Sequence, residues 1–140
     1  MAYATLADLV ERAGEAEVRQ IADRDRDGVP DPDVIGAALQ DASDLIDGYV
    51  GARYDIPLAS IPPQLRPWAV SIARYTLHRN GAPTWVEQDY KDALAALKDV
   101  AHGLIALPVA AGDTPPVAVT GQTMGRHPAQ VFTPQKLRGW

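Results

Sequence analysis

Apolar residues recur every three or four positions through most of the first 107 residues, the spacing of helices with one buried side. Thr5-Leu6-Ala7-Asp8 sets a capping residue three places before an acid, and Leu6, Leu9 and Val10 follow at helical spacing until Gly14. A second short helix is predicted from Glu15 to Ala22, with Val18, Ile21 and Ala22 on one side. After Pro30 and Pro32 a long helix is expected from Asp33 to about Tyr54. Val34, Ala38, Leu45, Ile46, Tyr49 and Val50 form its apolar face, and Asp41, Asp44 and Asp47 share an exposed one. Gly48 and Gly51 read as close-packing points in it. Prolines 57, 62 and 63 make Asp55–Pro63 an extended connector. The next helix is predicted from about Pro63 to Asn80, burying Leu65, Trp68, Ala69, Ile72, Tyr75 and Thr76. Thr84, with Glu87 three places on, is expected to cap a last helix to about Ala106. Its stripe is Val86, Tyr90, Leu94, Leu97, Ala101 and Leu104.

Beyond Leu107 the periodicity ends. Five prolines and four glycines crowd residues 108–140, and Val117-Ala118-Val119 and Gln130-Val131-Phe132-Thr133 fit short strands without a tight-turn partner. The expected fold is all-α: a small helical bundle of three long helices plus short N-terminal helices, carrying an extended C-terminal arm able to pair as β-strand. The expected division is 1–107 for the bundle and 108–140 for a docking arm.

Length changes this picture little: 140 residues with 46% hydrophobic and 22% charged side chains suit one ordinary domain. The absence of cysteine removes disulfide scaffolds, thiolate metal sites and cysteine nucleophiles, and agrees with a reducing cytosol. No apolar run approaches the roughly 20 residues of a membrane span, and Met1-Ala2-Tyr3-Ala4-Thr5 lacks signal-peptide character, so a soluble protein without membrane contact is expected. Charge is more informative. The net −5 divides into −8 over residues 1–113 and +3 over residues 114–140. An acidic body repels phosphate backbones and counts against general nucleic-acid binding. The basic arm, with Arg126, Phe132, Lys136, Arg138 and Trp140 as anchors, reads as a partner-docking segment; its composition alone favours a disordered tail, against which stands the apolar–polar alternation of Val117-Ala118-Val119 and Val131-Phe132.

Candidate chemistry is sparse. Asp23, Asp25, Asp27 and Asp31 occupy positions 1, 3, 5 and 9 of an EF-hand-like loop, with Gly28 at position 6 and the Val29 carbonyl as a further oxygen. Alternating carboxylates on a tightly turning chain converge on one hard cation. Position 12, normally a bidentate glutamate, is Val34, and Asp33 falls one place early, which weakens any calcium site. The competing reading is a solvated acidic turn that ends one helix and leads into the next. His78, His102 and His127 lack zinc-ligand spacing, and Ser43, Ser60 and Ser71 lack nucleophile context. His78, beside Arg74, Arg79 and Tyr75, reads as a surface or interface patch. No enzyme activity and no required cofactor are expected; Ca2+ is a candidate occupant of the acidic loop.

Several stretches carry a resemblance: Tyr3-Ala4-Thr5-Leu6-Ala7-Asp8-Leu9, the run Asp23–Asp31, Ala37–Tyr49, Ala52-Arg53-Tyr54-Asp55-Ile56-Pro57-Leu58 and Ile72–Leu77. In this order and spacing, residues 3–107 resemble the head–tail adaptor (head-completion) proteins of Mu-like tailed bacteriophages and prophages. The resemblance implies a non-enzymatic subunit that assembles as a ring, commonly of twelve copies, beneath the portal protein. Such a ring extends the channel through which DNA passes without specific binding and receives the tail or stopper protein. The implied location is the virion, after assembly in the bacterial host cytoplasm. The alternative function is a calcium-binding helical module built on Asp23–Asp31.

Overall fold

The computed structural model describes residues 2–108 as five helices, α1 (Leu6–Ala13), α2 (Glu15–Ala22), α3 (Pro32–Val50), α4 (Leu65–Leu77) and α5 (Thr84–Ala101), with no strand among the described residues. The expected arm, 108–140, lies outside the described residues apart from Pro108, and so do its strands and its five anchor residues. The three long helices pack pairwise, α3 on α4 and both on α5, while α1 bridges α2 and α4.

The short helix α1 is held by its start. The Thr5 hydroxyl accepts from the Asp8 backbone N–H, and the Asp8 carboxylate accepts from the Thr5 N–H at 2.8 Å, completing the capping box read from sequence. Hydrogen bonds from the Thr5 backbone and hydroxyl hold the Asp8 carboxyl below its ordinary range. The box therefore stabilises the folded chain above the unfolded carboxyl value near 4 and is lost as pH falls through the depressed folded value. Thr5→Ala is expected to cost about 1 kcal/mol at neutral pH. The gap between its melting temperature and the wild type's should narrow in acid, as protonation of Asp8 removes the carboxylate that accepts from the Thr5 hydroxyl, and keep the share due to the Asp8 N–H bond.

The core combines Leu9 of α1, Val18 and Ala22 of α2, Ile46 and Val50 of α3, Leu65, Ala69 and Leu77 of α4, and Leu97 and Val100 of α5. Ser43 joins it without cost: its hydroxyl donates to the Leu39 carbonyl at 2.9 Å and accepts from the Tyr3 N–H. The Tyr3 phenol donates a short hydrogen bond to Asp47. Burial, reinforced by that hydrogen bond and by the Asp47 charge, pushes the phenol well above its ordinary value. Asp47 thus leaves the exposed row expected with Asp41 and Asp44; it pins the N-terminal segment against α3.

Helix ends differ from the periodic reading. α3 stops at Val50, not Tyr54, as the Arg53 and Tyr54 N–H groups fold back on the Val50 carbonyl. α4 runs over Leu65–Leu77, short of both expected limits, and Thr76 of its expected buried face is exposed. Pro83, not Thr84, occupies the N-cap of α5, and no side chain caps it, so the second expected capping box does not form. α5 ends at Ala101 because Gly103 adopts φ +79°. The Gly103 N–H reaches the Val100 carbonyl and the Leu104 N–H the Asp99 carbonyl, a Schellman closure. Leu104, expected on the buried stripe, is consequently 75% exposed, and Leu107 is buried in its stead. The Leu107 N–H donates to the Tyr54 hydroxyl at 2.8 Å, tying the end of the described chain to the connector after α3. Gly51 is a close-packing point, since a Cβ there would meet the Asp47 carbonyl at 2.7 Å; Gly48 faces open space.

Candidate cation loop and helix-end arginines

The loop between α2 and α3 is built from aspartates bonding to the backbone they interrupt. Asp23, the C-cap of α2, accepts from the Asp27 N–H at 3.1 Å and the Gly28 N–H at 2.8 Å. Asp25 accepts from the Asp27 N–H, and Asp27 from the Val29 N–H at 2.8 Å. These Asx turns wind the chain tightly enough that Arg26 and Gly28 take left-handed backbone angles, φ 61° and 86°. Carboxylate oxygens of Asp23, Asp25 and Asp27 all lie within 4.8 Å of one another, and no other trio of His, Asp or Glu converges like this among the described residues.

Asp31 has a different task. Its carboxylate accepts from the Arg24 N–H at 2.7 Å, and its own N–H donates to the Ala22 carbonyl, closing the base of the loop. Asp31 is the N-cap residue of α3, but its side chain makes no capping bond there; Pro32 begins the helix.

Proximity shifts the carboxylates against each other. Desolvation works to raise Asp23, but the Gly28 N–H, the Asp25 side chain and the Asp27 N–H outweigh it and hold Asp23 below its ordinary value. The Asp23 carboxylate beside it pushes Asp25 up. Two carboxylates that share a site resist ionising together, and a divalent cation would relieve that repulsion.

Across the loop, α2 and α4 are joined by charge. Arg74 makes a bidentate pair with Glu17, at 2.9 Å and 2.8 Å, and His78 Nε2 lies 3.7 Å from the same carboxylate. Arg24 Nη2 donates to the Leu77 carbonyl at the C-terminal end of α4, so the loop is anchored to the helix whose end carries His78 and Arg79. The patch read from sequence around His78 is therefore a packed junction: His78 is half-buried, and Arg74 is satisfied within the chain. Sequence reasoning missed Glu17, which lies 57 residues from Arg74. His102 is exposed at the C-cap of α5, and Ser43 and Ser71 are buried. His127 lies outside the described residues, with Arg126, Phe132, Lys136, Arg138 and Trp140. No described helix is long and apolar enough to cross a membrane.

Residues 3–125 match the family described as Bacteriophage Mu, Gp36. The chain is 38% identical over 105 residues to the Mu-like prophage FluMu protein gp36 of Haemophilus influenzae, covering 75% of this chain and 74% of that one. It is 33% identical over 104 residues to Gene product J of Escherichia phage Mu, at 74% of each chain.

Proposed function

We propose that this chain, which belongs to the bacteriophage Mu Gp36 family, is a structural head–tail connector subunit of a Mu-like particle. The observation that carries the reading is the extent of the family match, residues 3–125, which takes in every described helix as well as chain beyond them. In this reading copies of the chain, in the twelve typical of adaptor rings, sit beneath the portal protein, extend the DNA channel and receive the tail or stopper. The acidic body supports a channel wall along which DNA slides without adhering: residues 1–113 carry −8. A bundle of residues 1–107 supplies the ring wall, and the basic stretch 108–140 docks it to a portal or a neighbouring copy.

Electron microscopy of purified particles, and of the protein mixed with its portal, tests this directly. A symmetric ring of this chain between head and tail is the expected image. Particles that assemble complete tails without the chain would overturn the reading.

The trio Asp23, Asp25 and Asp27 favours a second reading, in which the loop takes up Ca2+ as a structural ion. Calcium at millimolar concentration is then expected to raise the melting temperature by a few degrees. EDTA should reverse the shift, and Asp25→Asn, which removes the central carboxylate, should abolish it. An identical melting curve with calcium and with EDTA would leave the loop as a solvated turn.

A further inference from the structure

Two grooves meet at the C-terminal end of α4 and share Arg24, Leu77 and Arg79. One, of about 330 Å3, runs over Val34, Ala37 and Ala38 of α3; the other, of about 220 Å3, lies against Gln20 and Ile21 of α2. Arg24 is half-buried and Arg79 exposed. Burial lowers the pKa of the Arg24 guanidinium and the charge of Arg79 lowers it further, against the opposing pull of Asp31. Among the described residues neither arginine forms an ion pair, whereas Arg74, one turn away, is fully engaged by Glu17. The Asp31 carboxylate is taken by the Arg24 backbone N–H, and Asp41 stands at the rim of the larger groove. Two guanidinium forks without ion-pair partners thus line the larger, mostly apolar groove together with the single carboxylate of Asp41, an arrangement that an acidic segment with an apolar side would complete.

We infer that this groove seats an acidic, partly apolar face of a second copy of the chain, its carboxylate held by Arg24 and Arg79. Charge complementarity points to the occupant: the groove carries two arginines against the one carboxylate of Asp41, and residues 2–108 hold 17 acidic and 10 basic side chains, so the chain's own surface is rich in carboxylates. The pairing is heterologous, groove on one copy and carboxylates on the next, and repeats around a closed rotation. The inference rests on the connector reading, which requires copies side by side.

The cysteine-free sequence makes the test clean. Asn80→Cys places a thiol on an exposed position beside Arg79, outside the larger groove, where a benzophenone label can be attached and photolysed within assembled particles. Cross-links to acidic stretches of a second copy are expected. Arg79→Met, checked as folded by its melting curve, is expected to lower incorporation into particles more than tenfold. Arg66→Met, at an exposed site on α4 away from the groove, should leave incorporation unchanged. Ala37→Trp fills the groove without altering charge and should reproduce the Arg79→Met loss. Cross-links solely to a different particle protein, or wild-type incorporation of both Arg79→Met and Ala37→Trp, would overturn the second-copy assignment and leave the connector reading standing. Wild-type protein absent from particles would overturn the connector reading, and the groove's occupant with it.

Discussion

Ile46→Ala is expected to lower stability by about 3 kcal/mol, within the range for a buried isoleucine truncated where neighbours cannot collapse. Ile46 is fully buried in the core on α3, the helix that packs against both α4 and α5. For a folded region of about 100 residues each kcal/mol shifts the midpoint by several degrees, so the melting temperature should fall by about 15 °C. Leu104→Ala is the matched control. It deletes the same class of side chain from a 75% exposed position and should cost less than about 0.5 kcal/mol. The periodic reading put Leu104 on the same buried stripe as Leu97. The pair therefore measures whether α5 ends at the Gly103 closure or continues as the stripe suggested. A large loss at Leu104 would mean that the helix runs on in solution.

That contrast shows what kind of information local sequence holds. The five helices were legible because each sets its apolar residues three and four positions apart, over one turn in α1 and α2 and over several in the long helices, and Thr5 with Asp8 marks the start of α1 within four residues. The end of α5 is legible too, in Gly103 directly after His102, but the apolar residues beyond it continue the stripe and mask the stop. The N-terminus of α5 misled differently. Thr84 and Glu87 have capping-box spacing, but the chain enters the helix one residue earlier, at Pro83, and Thr84 is already helical. Pairs such as Tyr3 with Asp47 and Arg74 with Glu17 had no local trace at all, since they join residues 44 and 57 apart. Their effect on the reading was systematic: each takes a charged residue that looks solvated in one dimension and makes it a tether between elements.

The acidic loop followed the opposite pattern. Its spacing, Asp-x-Asp-x-Asp-Gly, anticipated the convergence of Asp23, Asp25 and Asp27, because alternating side chains on a tight turn must meet. Spacing alone did not reveal that Asp31 would be claimed by the Arg24 N–H. Nor did it reveal that Arg24 would reach the end of α4 and leave two arginines facing one groove. Function here depends on which polar groups are already used, and that is settled only by packing.

Removing residues 126–140 is expected to have the largest functional effect while leaving the helices intact. Every described core residue precedes position 108, so the melting temperature should change by no more than a surface substitution would cause. The truncation nevertheless removes Arg126, Phe132, Lys136, Arg138 and Trp140 together and takes the net charge from −5 to −8. The family match ends at residue 125, so the cut leaves every matched residue in place. If those five residues anchor this chain to its portal or to an adjacent copy, the shortened protein should be soluble, helical and absent from particles. Full incorporation of the truncated chain would transfer the docking role to residues 3–125. Restoring Phe132 and Trp140 as the only two aromatics in a 126–140 segment otherwise of glycine and serine tests the apolar share of the contact. Restoring the three basic residues alone tests the electrostatic share, which should weaken as salt rises.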